Sequence, residues 1–545
     1  MLAADRRLAA LLLLTSVSPT IEAAVVVSLG FVAAQGLAPQ TAAVWPYDTY
    51  HDLRWLYVYH DSWPSFALWL GMLVVARGLF HTLLVVLAWP GEVPRPPVRW
   101  LLRRNLGLAA LVAVFVAPWA LISVAASVVA LSWVLLASVV PMFLLAPFLQ
   151  RAAVLAPWWR GLPSISLVGW SLLNFVVLTM AGALCWSLPG WWTVPVATVA
   201  GVVNGLLWNR IIRTALINPS TRWAWMPATP VAVVLALAVP LLIPVLVDAV
   251  PGKDLRAEAV VLDHPLPPDV PQAVIVLAGY GSSYGGEQPP DERVERFSYR
   301  GLSSHGAPLP YGSRDTAISV ADSVRLLDEQ VRRLHQRTGR PIALIGESEG
   351  AMVARSYLQQ GAHPAVDTLA MFSPLINAGR AYYPPPHENR GFGVATGWQL
   401  RLAFGAMRLV GGPHTGPDEP FIRSLVDDAP FYRNQLMCPV PGIRMVAFIP
   451  TTTAAEAPPG EYSRIPVFEM PGVHGGLLNR SLVADRLLAF LSGEPIRHER
   501  DEYPLLQRLG AAWQAPPLPI AANPAWSRFQ QPDPAFTGKV CQPTG

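Results

Sequence analysis

Apolar and polar positions divide the 545-residue chain into two unlike halves. Up to about residue 250 the chain is a succession of apolar runs, most of them close to the ~20 residues that a helix needs to cross a bilayer. Seven candidate spans are predicted, at 9–36, 65–89, 106–126, 128–149, 164–188, 192–211 and 229–250. The third and fourth come from one apolar block that is too long for a single crossing, so we expect a helical hairpin there. The first half is therefore predicted to be an all-α transmembrane bundle.

From about residue 272 short apolar runs alternate with stretches of helical spacing. The predicted strands lie at 273–279, 294–299, 342–346, 366–372, 444–450 and 465–471. The predicted helices lie at 320–334 with Asp315 and Thr316 as the cap, from 349 to about 360, and at 481–491. Strands that alternate with helices indicate a mostly parallel sheet covered on both faces.

These patterns set the domain boundaries. We expect a transmembrane helical domain at 1–250, a linker at 251–271, an α/β domain at 272–495 and a Pro-rich, extended tail at 496–545. A long irregular stretch at about 373–442 interrupts the α/β domain. Loops of more than about 15 residues are uncommon unless they are functional or disordered. This insertion is interpreted as a cap or lid, with a surface decoration as the alternative.

Charge supports a membrane location. Soluble domains carry roughly 25% charged residues, whereas this chain has 14%, with a net charge of +4. Its arginines cluster at alternate ends of the apolar runs, which is a topology signal and does not indicate nucleic-acid binding. The pattern predicts a multi-pass protein of the cell membrane with a cytoplasmic N-terminus and an extracytoplasmic α/β domain. A cleaved signal peptide is the alternative for the first run, although that run resumes directly after the candidate cleavage site.

Several polar residues interrupt the apolar half. Glu22 and Arg77 lie near the middle of the first two spans, where a lone charge costs roughly 2.5–3.5 kcal/mol, so we expect them to form an interhelical pair; a proton or substrate path is the alternative. Asn174 and Asn204 are expected to bond across two helices. The Trp- and Tyr-rich segment 41–64 suits a membrane–water interface.

The chain has three cysteines, and two of them lie in the polar half. Cys185 falls in an apolar run and is interpreted as a packing residue. Cys438 and Cys541 would both be extracytoplasmic, where a disulfide is permitted, and we expect them to pair. The cysteine spacing does not match a metal-binding motif.

The pattern G-x-S-x-G occurs twice, and its context separates the two copies. A serine nucleophile of this type needs a strand before it and a helix after it, so that a tight turn exposes the hydroxyl. Ser348 in GESEG has both neighbours, whereas Ser283 in GSSYG is followed by GEQPPDE, which does not predict a helix. Glu347 and Glu349, which flank Ser348, are interpreted as residues that favour the helix dipole at the start of a helix, with a direct role in proton transfer as the alternative.

Residues from about 270 to 495 resemble the esterase and lipase branch of the α/β-hydrolase superfamily, on the GESEG motif and on PGVHGG further along. In that family the chain order is serine, acid, histidine. The resemblance implies that Ser348 is the nucleophile and that His474, just beyond the last strand, is its base. It also implies an oxyanion hole made by the backbone N–H groups of Glu349 and Tyr280.

The acid departs from the pattern of the family. The family usually supplies it from the loop after the penultimate strand, often as Asp, and here that loop has no Asp. Glu456 is the carboxylate nearest to the expected place and Glu461 is the second choice, while Glu469 lies within the last strand and is expected to point elsewhere. Without an acid, His474 would lack its orienting partner.

The sequence thus predicts a membrane-anchored serine hydrolase that cleaves a carboxylic ester through Ser348, His474 and Glu456. Proximity to the bilayer favours a lipid or cell-envelope ester as the substrate. Neither a metal nor an organic cofactor is implied, and no oligomeric state is indicated. The alternatives are an inactive hydrolase-like ectodomain that binds without catalysis, and an acyltransferase that uses the same residues with an alcohol in place of water.

Overall fold

A computed structural model describes residues 2–129, 132–188, 190–217, 223–248, 260–361, 363–409, 416–451, 464–472, 474–495, 504–529 and 531–541. The first part of the chain forms a helical region. Its helices are α1 (Leu2–Ser28), α2 (Tyr47–Tyr59), α3 (Trp63–Ala88), α4 (Val98–Val129), α5 (Ser132–Val154), α6 (Ile165–Ser187), α7 (Thr193–Ile217) and α8 (Ala228–Asp248). The predicted hairpin is present as α4 and α5.

Five of these helices are long and apolar enough to cross a membrane, namely α1, α3, α4, α6 and α7. Many of their apolar side chains point outward: Val114 is 71% and Ile165 82% exposed. Large exposed apolar surfaces are rare on soluble monomers, so this part of the molecule fits a membrane-embedded region. The predicted count of seven spans is not confirmed, because α5 and α8 contribute only shorter apolar stretches among the described residues.

The predicted bounds of the first span, 9–36, are wrong, because α1 ends at Ser28 and residues 32–42 form a 3₁₀ helix. The aromatic segment 41–64 contains α2 and buries Trp45, Tyr47 and Tyr50 completely, and its location at a membrane–water interface stays a prediction. Tyr47 stacks on Phe175 and Trp513, so these aromatics fill the interior between α2, α6 and the C-terminal segment.

The intramembrane charges belong to a network and do not form the direct pair that was expected. Glu22 lies 2.9 Å from Nε2 of His51, and Nδ1 of His51 lies 3.0 Å from Asp52. Arg77 contacts both carboxylate oxygens of Asp52 at 2.5 Å and lies 3.3 Å from Asp48. Glu22 and Arg77 are thus joined through α2, which sequence spacing on α1 and α3 does not reveal.

The predicted asparagine contact is present. The Asn174 side chain on α6 donates to the Asn204 side chain on α7 at 2.6 Å. Asn204 in turn donates to the Ala42 carbonyl at 2.5 Å, and the Trp208 indole donates to the same oxygen at 3.1 Å. These bonds satisfy polar groups that would otherwise be buried without partners.

The α/β region is built on one parallel sheet. Its strands are β1 (Ala273–Leu277), β2 (Val294–Arg296), β3 (Ile342–Glu347), β4 (Val366–Phe372), β5 (Arg444–Pro450) and β6 (Val467–Met470), in the spatial order β2-β1-β3-β4-β5-β6. All five pairings are parallel. The six predicted strands and the parallel sheet are therefore confirmed, and β3 lies at the centre with helices packed on both faces.

The helices of this region are α9 (Val260–Asp263), α10 (Val320–Thr338), α11 (Glu349–Tyr357), α12 (Val394–Leu409), α13 (Pro420–Asp427), α14 (Ala429–Asn434), α15 (Ser481–Leu491), α16 (Pro504–Trp513) and α17 (Pro534–Thr537). The predicted cap of α10 is wrong. Ser319 caps this helix by accepting the N–H of Asp322, because Asp315 and Thr316 lie in a separate 3₁₀ turn. The predicted helix at 481–491 is confirmed as α15.

The insertion at about 373–442 is more ordered than expected. It contains α12, α13 and α14. Its first residues are bonded to the end of α4, since the N–H groups of Gly379 and Arg380 donate to the carbonyls of Val128 and Ser127 at 2.7 and 3.1 Å. The insertion therefore joins the sheet to the helical region.

The C-terminal segment is not simply extended. It includes α16, whose Trp513 is buried, and it also buries Trp526 completely. The expected disulfide between Cys438 and Cys541 is present. It ties the end of the described chain to the insertion, across a sequence separation of 103 residues.

Candidate active site

Ser348 lies in the tight turn between β3 and α11. Its backbone has φ of +53° and ψ of −114°, a conformation that non-glycine residues rarely adopt. The Ser348 N–H donates to the Phe372 carbonyl of the adjacent strand at 2.8 Å, which fixes the turn at the carboxyl end of the sheet. Strained residues of this kind cluster at active sites, and the turn has the strand–turn–helix form that exposes a serine hydroxyl.

The two glycines of GESEG allow this turn to close. A Cβ on Gly350 would lie 2.3 Å from the Leu277 carbonyl oxygen of β1, and a Cβ on Gly346 would lie 2.5 Å from the Gly350 backbone. Any larger residue would push α11 away from the sheet. In the second copy, a Cβ on Gly281 would meet nothing within 4 Å and one on Gly285 would meet only the Glu287 side chain. Ser283 itself is exposed and is not followed by a helix.

His474 is brought to Ser348 from the other end of the α/β region. It follows β6 in a loop, and its Nε2 atom lies 2.9 Å from Oγ of Ser348 although 126 residues separate the two. That distance is within hydrogen-bond reach of a nucleophile and its base. The structure thus joins the two residues that the sequence singled out.

Glu347 holds the loop that carries His474. One of its carboxylate oxygens accepts the Leu477 N–H at 3.2 Å, and the Gly475 N–H donates to Oγ of Ser373 at 3.4 Å. The pKa of the Glu347 carboxyl is raised overall. Removal from water raises this pKa by more than the hydrogen bonds from the Leu477 and Gly476 amides lower it. This positioning contact was missed from sequence, because it spans 130 residues and has no local pattern.

The predicted oxyanion donors lie beside the serine. Glu349 is the next residue along the chain, and Gly279 is so close that a Cβ there would lie 3.1 Å from Cβ of Ser348. Tyr280, which follows Gly279, lines the same cavity as Ser348 and His474. Within the described residues, the amides of Tyr280 and Glu349 donate to no protein acceptor, so both are available to a substrate oxygen.

The side chains of the same two residues serve other contacts. The Tyr280 hydroxyl donates to Glu419, and its ring stacks on Phe421; burial and the Glu419 carboxylate raise the pKa of this phenol. The Glu349 carboxyl is fully buried, and its oxygens have no hydrogen-bond partner among the described residues. Burial raises the pKa of Glu349 well above its ordinary value.

The acid is the one predicted site residue that the structure does not place. Glu456 and Glu461 both lie outside the described residues. Glu469 lies within β6, as predicted, and is buried there. Among the described residues no group of three or more His, Cys, Asp or Glu side chains is arranged to hold a metal ion.

A cavity of about 550 Å³ begins at Ser348 and His474. We call these two residues and the adjoining Tyr280 its polar end. The remainder is lined by side chains of α4, α12 and α13, together with Leu375, Tyr383, Gly416 and Pro417 of the insertion. We call the faces of α4 and α12 its helical end. The volume falls within the roughly 300–1,000 Å³ of small-molecule sites.

Comparisons with known proteins do not assign a family. No family model matches the chain, and no curated protein matches it. Among solved structures the chain is similar to RedJ, determined with a polyethylene glycol molecule bound in the active site of that protein. The identity is 18%, the match covers 42% of this chain and 92% of RedJ, and the TM-score is 0.24. A similarity at this level does not support a functional argument, so the fold described above rests on the structure of this chain alone.

Proposed function

We propose that the protein is a membrane-anchored serine hydrolase of the α/β-hydrolase type that cleaves a carboxylic ester. The observation that carries the proposal is the 2.9 Å contact between Oγ of Ser348 and Nε2 of His474. It occurs on a strained turn at the carboxyl ends of parallel strands, which is where open α/β sheets bind ligands. The turn, the contact and the adjoining cavity support the same chemistry.

The reaction would proceed through an acyl-enzyme. Ser348 Oγ attacks the carbonyl carbon while its proton moves to Nε2 of His474. The negative charge that develops on the carbonyl oxygen is stabilised by the amides of Tyr280 and Glu349. The bond to the leaving alcohol then breaks, and His474 returns the proton to the oxygen of that alcohol.

Deacylation reverses these roles. Water attacks the acyl carbon and gives a proton to His474, and the Ser348 oxygen leaves and takes that proton back. An alcohol in place of water would yield a new ester, so an acyltransferase remains the second candidate. A carboxylate at Nδ1 of His474 would orient the ring in both reactions, and Glu456 is the residue that we propose for it.

The location is part of the proposal. The exposed apolar side chains of α1, α3, α4, α6 and α7 fit a bilayer. With the seven predicted crossings, the arginine pattern supports a cytoplasmic N-terminus and an α/β region outside the cell membrane. The Cys438–Cys541 disulfide supports that side, because disulfides persist in oxidising compartments.

Ester hydrolysis in detergent micelles tests the function. Wild type should release p-nitrophenol from p-nitrophenyl butyrate, Ser348→Ala should lose about 10⁴-fold or more in rate, and the matched control Ser283→Ala should keep full activity. Equal rates for wild type and Ser348→Ala would reject Ser348 as the nucleophile. A folded wild type without activity would favour a binding ectodomain.

The same assay identifies the acid. Glu456→Gln should lower kcat by about 10²- to 10⁴-fold, because the base loses its orienting partner, while Glu461→Gln should stay within about 2-fold of wild type. The reverse result would transfer the role to Glu461. If neither variant changed kcat, the acid would lie elsewhere.

A further inference from the structure

One face of α4 lines the cavity. Pro118, Ile122, Ala125 and Val129 are spaced at three or four residues, so they form a stripe along a single face of this helix. All of them are apolar. A helix long and apolar enough to cross a membrane therefore forms part of the wall of the proposed active site.

The opposite wall comes from α12. Leu400, Ala403, Phe404 and Met407 follow the same helical spacing and also line the cavity. The outer face of α12 is apolar too, since Leu402 is 70% and Leu409 89% exposed. An exposed apolar face beside helices of this kind fits a helix that lies at the membrane surface.

The length of α4 allows it to reach from the bilayer to the serine. It has 32 residues, about twelve more than the ~20 that span the hydrocarbon core. The stripe occupies its last three turns and is on the order of 16 Å long. Its C-terminal end is bonded to the insertion through the Val128 carbonyl, and Val129, like Tyr280, packs against the apolar core of the α/β region. Pro118, at the other end of the stripe, is exposed.

The two tyrosine hydroxyls along the cavity are already hydrogen-bonded within the protein. The Tyr383 hydroxyl donates to the Pro417 carbonyl at 2.5 Å, and the Tyr280 hydroxyl donates to Glu419. Beyond the polar end, the described lining offers apolar carbon surface to a ligand. A polar acyl group would lose its hydrogen bonds to water here without replacing them, whereas an alkyl chain gains about 25 cal/mol for each Å² that it buries.

We infer that α4 and α12 form the acyl-binding site, and that the substrate class is an ester with a long alkyl chain that enters from the bilayer. The inference rests on the proposed function and specifies its substrate. The acyl carbonyl lies at Ser348, and the chain extends between the two stripes toward Pro118. Ala125 and Ala403, which are the small residues of the stripes, leave the space that the chain occupies.

A chain-length assay tests this geometry. Ala125→Phe and Ala403→Phe each place an aromatic ring in the cavity, and Val114→Phe places the same ring on the outward face of α4. The full-length protein in micelles is assayed with p-nitrophenyl acetate and p-nitrophenyl palmitate. The palmitate-to-acetate ratio of kcat/KM should fall about 10-fold or more in both cavity variants and stay within about 2-fold in Val114→Phe.

A crosslinking probe measures the position of the chain directly. A long-chain alkyl fluorophosphonate with a terminal diazirine reacts at Ser348 with loss of fluoride and is then irradiated. Peptide mapping should find the crosslink between Pro118 and Val129 of α4 or on the inner face of α12. This readout requires only wild-type protein, so it holds even if a cavity variant fails to fold.

The outcomes separate the inference from the function on which it rests. The acyl-site inference would be overturned if Ser348 were labelled but the crosslinks lay elsewhere, or if the palmitate-to-acetate ratio were unchanged in both folded cavity variants. Either result would leave the hydrolase proposal intact. Wild type that hydrolyses neither ester and takes up no fluorophosphonate would overturn both.

Discussion

The two ends of the cavity are built by different means. At the polar end the backbone is held tightly, with a strained turn at Ser348, glycines that let α11 approach β1, and a loop fixed by Glu347. At the helical end, the walls are the faces of two regular helices whose side chains only fill space.

This difference indicates that catalysis and chain-length selectivity depend on different parts of the cavity. Reaction chemistry depends on distances of about 3 Å between particular atoms, so a misplacement of about 1 Å costs on the order of 100-fold. Chain selectivity depends on volume, so single changes cost about 10- to 200-fold and affect only some substrates. Variants at the polar end should therefore change kcat for every ester, and variants at the helical end should change the response to chain length.

The largest effect is expected at His474. His474→Gln removes the proton acceptor of Ser348 and should lower kcat about 10⁴-fold or more for both acetate and palmitate esters. The exposed His387 provides a matched control, and His387→Gln should retain wild-type rates. A His474→Gln protein with wild-type kcat would remove this residue from the mechanism.

A smaller effect is expected at Glu347, which is a positioning residue. Glu347→Ala deletes the acceptor of the Leu477 N–H and should lower kcat about 10- to 100-fold, with little change in KM, because the His474 loop loses its anchor. Glu347→Gln keeps an acceptor oxygen and should restore most of the rate. If Glu347→Ala raised KM alone, the loop would not depend on this contact.

At the helical end the expected effect is confined to long chains. Phe404→Ala removes an aromatic wall and should raise KM for the palmitate ester about 10-fold, while kcat and all constants for the acetate ester stay near wild type. Leu402→Ala, on the exposed outer face of α12, is the matched control. A uniform loss across both esters would show that α12 supports the fold and not the substrate.

The smallest effect concerns stability. Because burial holds the pKa of Glu349 above that of the unfolded chain, folded protein keeps the proton that unfolded protein releases, and stability falls as pH rises above the ordinary Glu value of about 4.3. Glu349→Gln cannot ionise, so the stability of this variant relative to wild type should increase from pH 5 to pH 8, by on the order of 1 kcal/mol or more. Thermal unfolding of both proteins across this range measures it, and a constant difference would contradict a raised pKa.

Much of the α/β region could be predicted from sequence because its signals are local. Apolar runs of strand length located all six strands, and the strand before and helix after GESEG distinguished Ser348 from Ser283. His474 followed from its place after the last strand. Each inference needed only neighbouring residues, together with a family order in which serine precedes histidine.

The remainder depended on packing between distant segments. Nothing local in α4 indicates that its last turns line a cavity with a serine more than 200 residues later. Burial of Tyr47 and Tyr50 likewise depends on Trp513, which packs on both rings from the C-terminal segment. The insertion was predicted to be irregular because its prolines and glycines obscured the periodicity of α12, α13 and α14.

The most direct test of the central claim is the mass of the intact protein after treatment with a small fluorophosphonate. Wild type should gain one adduct that peptide mapping places on Ser348, His474→Gln should label at least about 100-fold more slowly, and Ser348→Ala should gain no adduct. An adduct on Ser283, or folded wild type that gains no mass, would contradict the assignment of Ser348 and His474 as nucleophile and base.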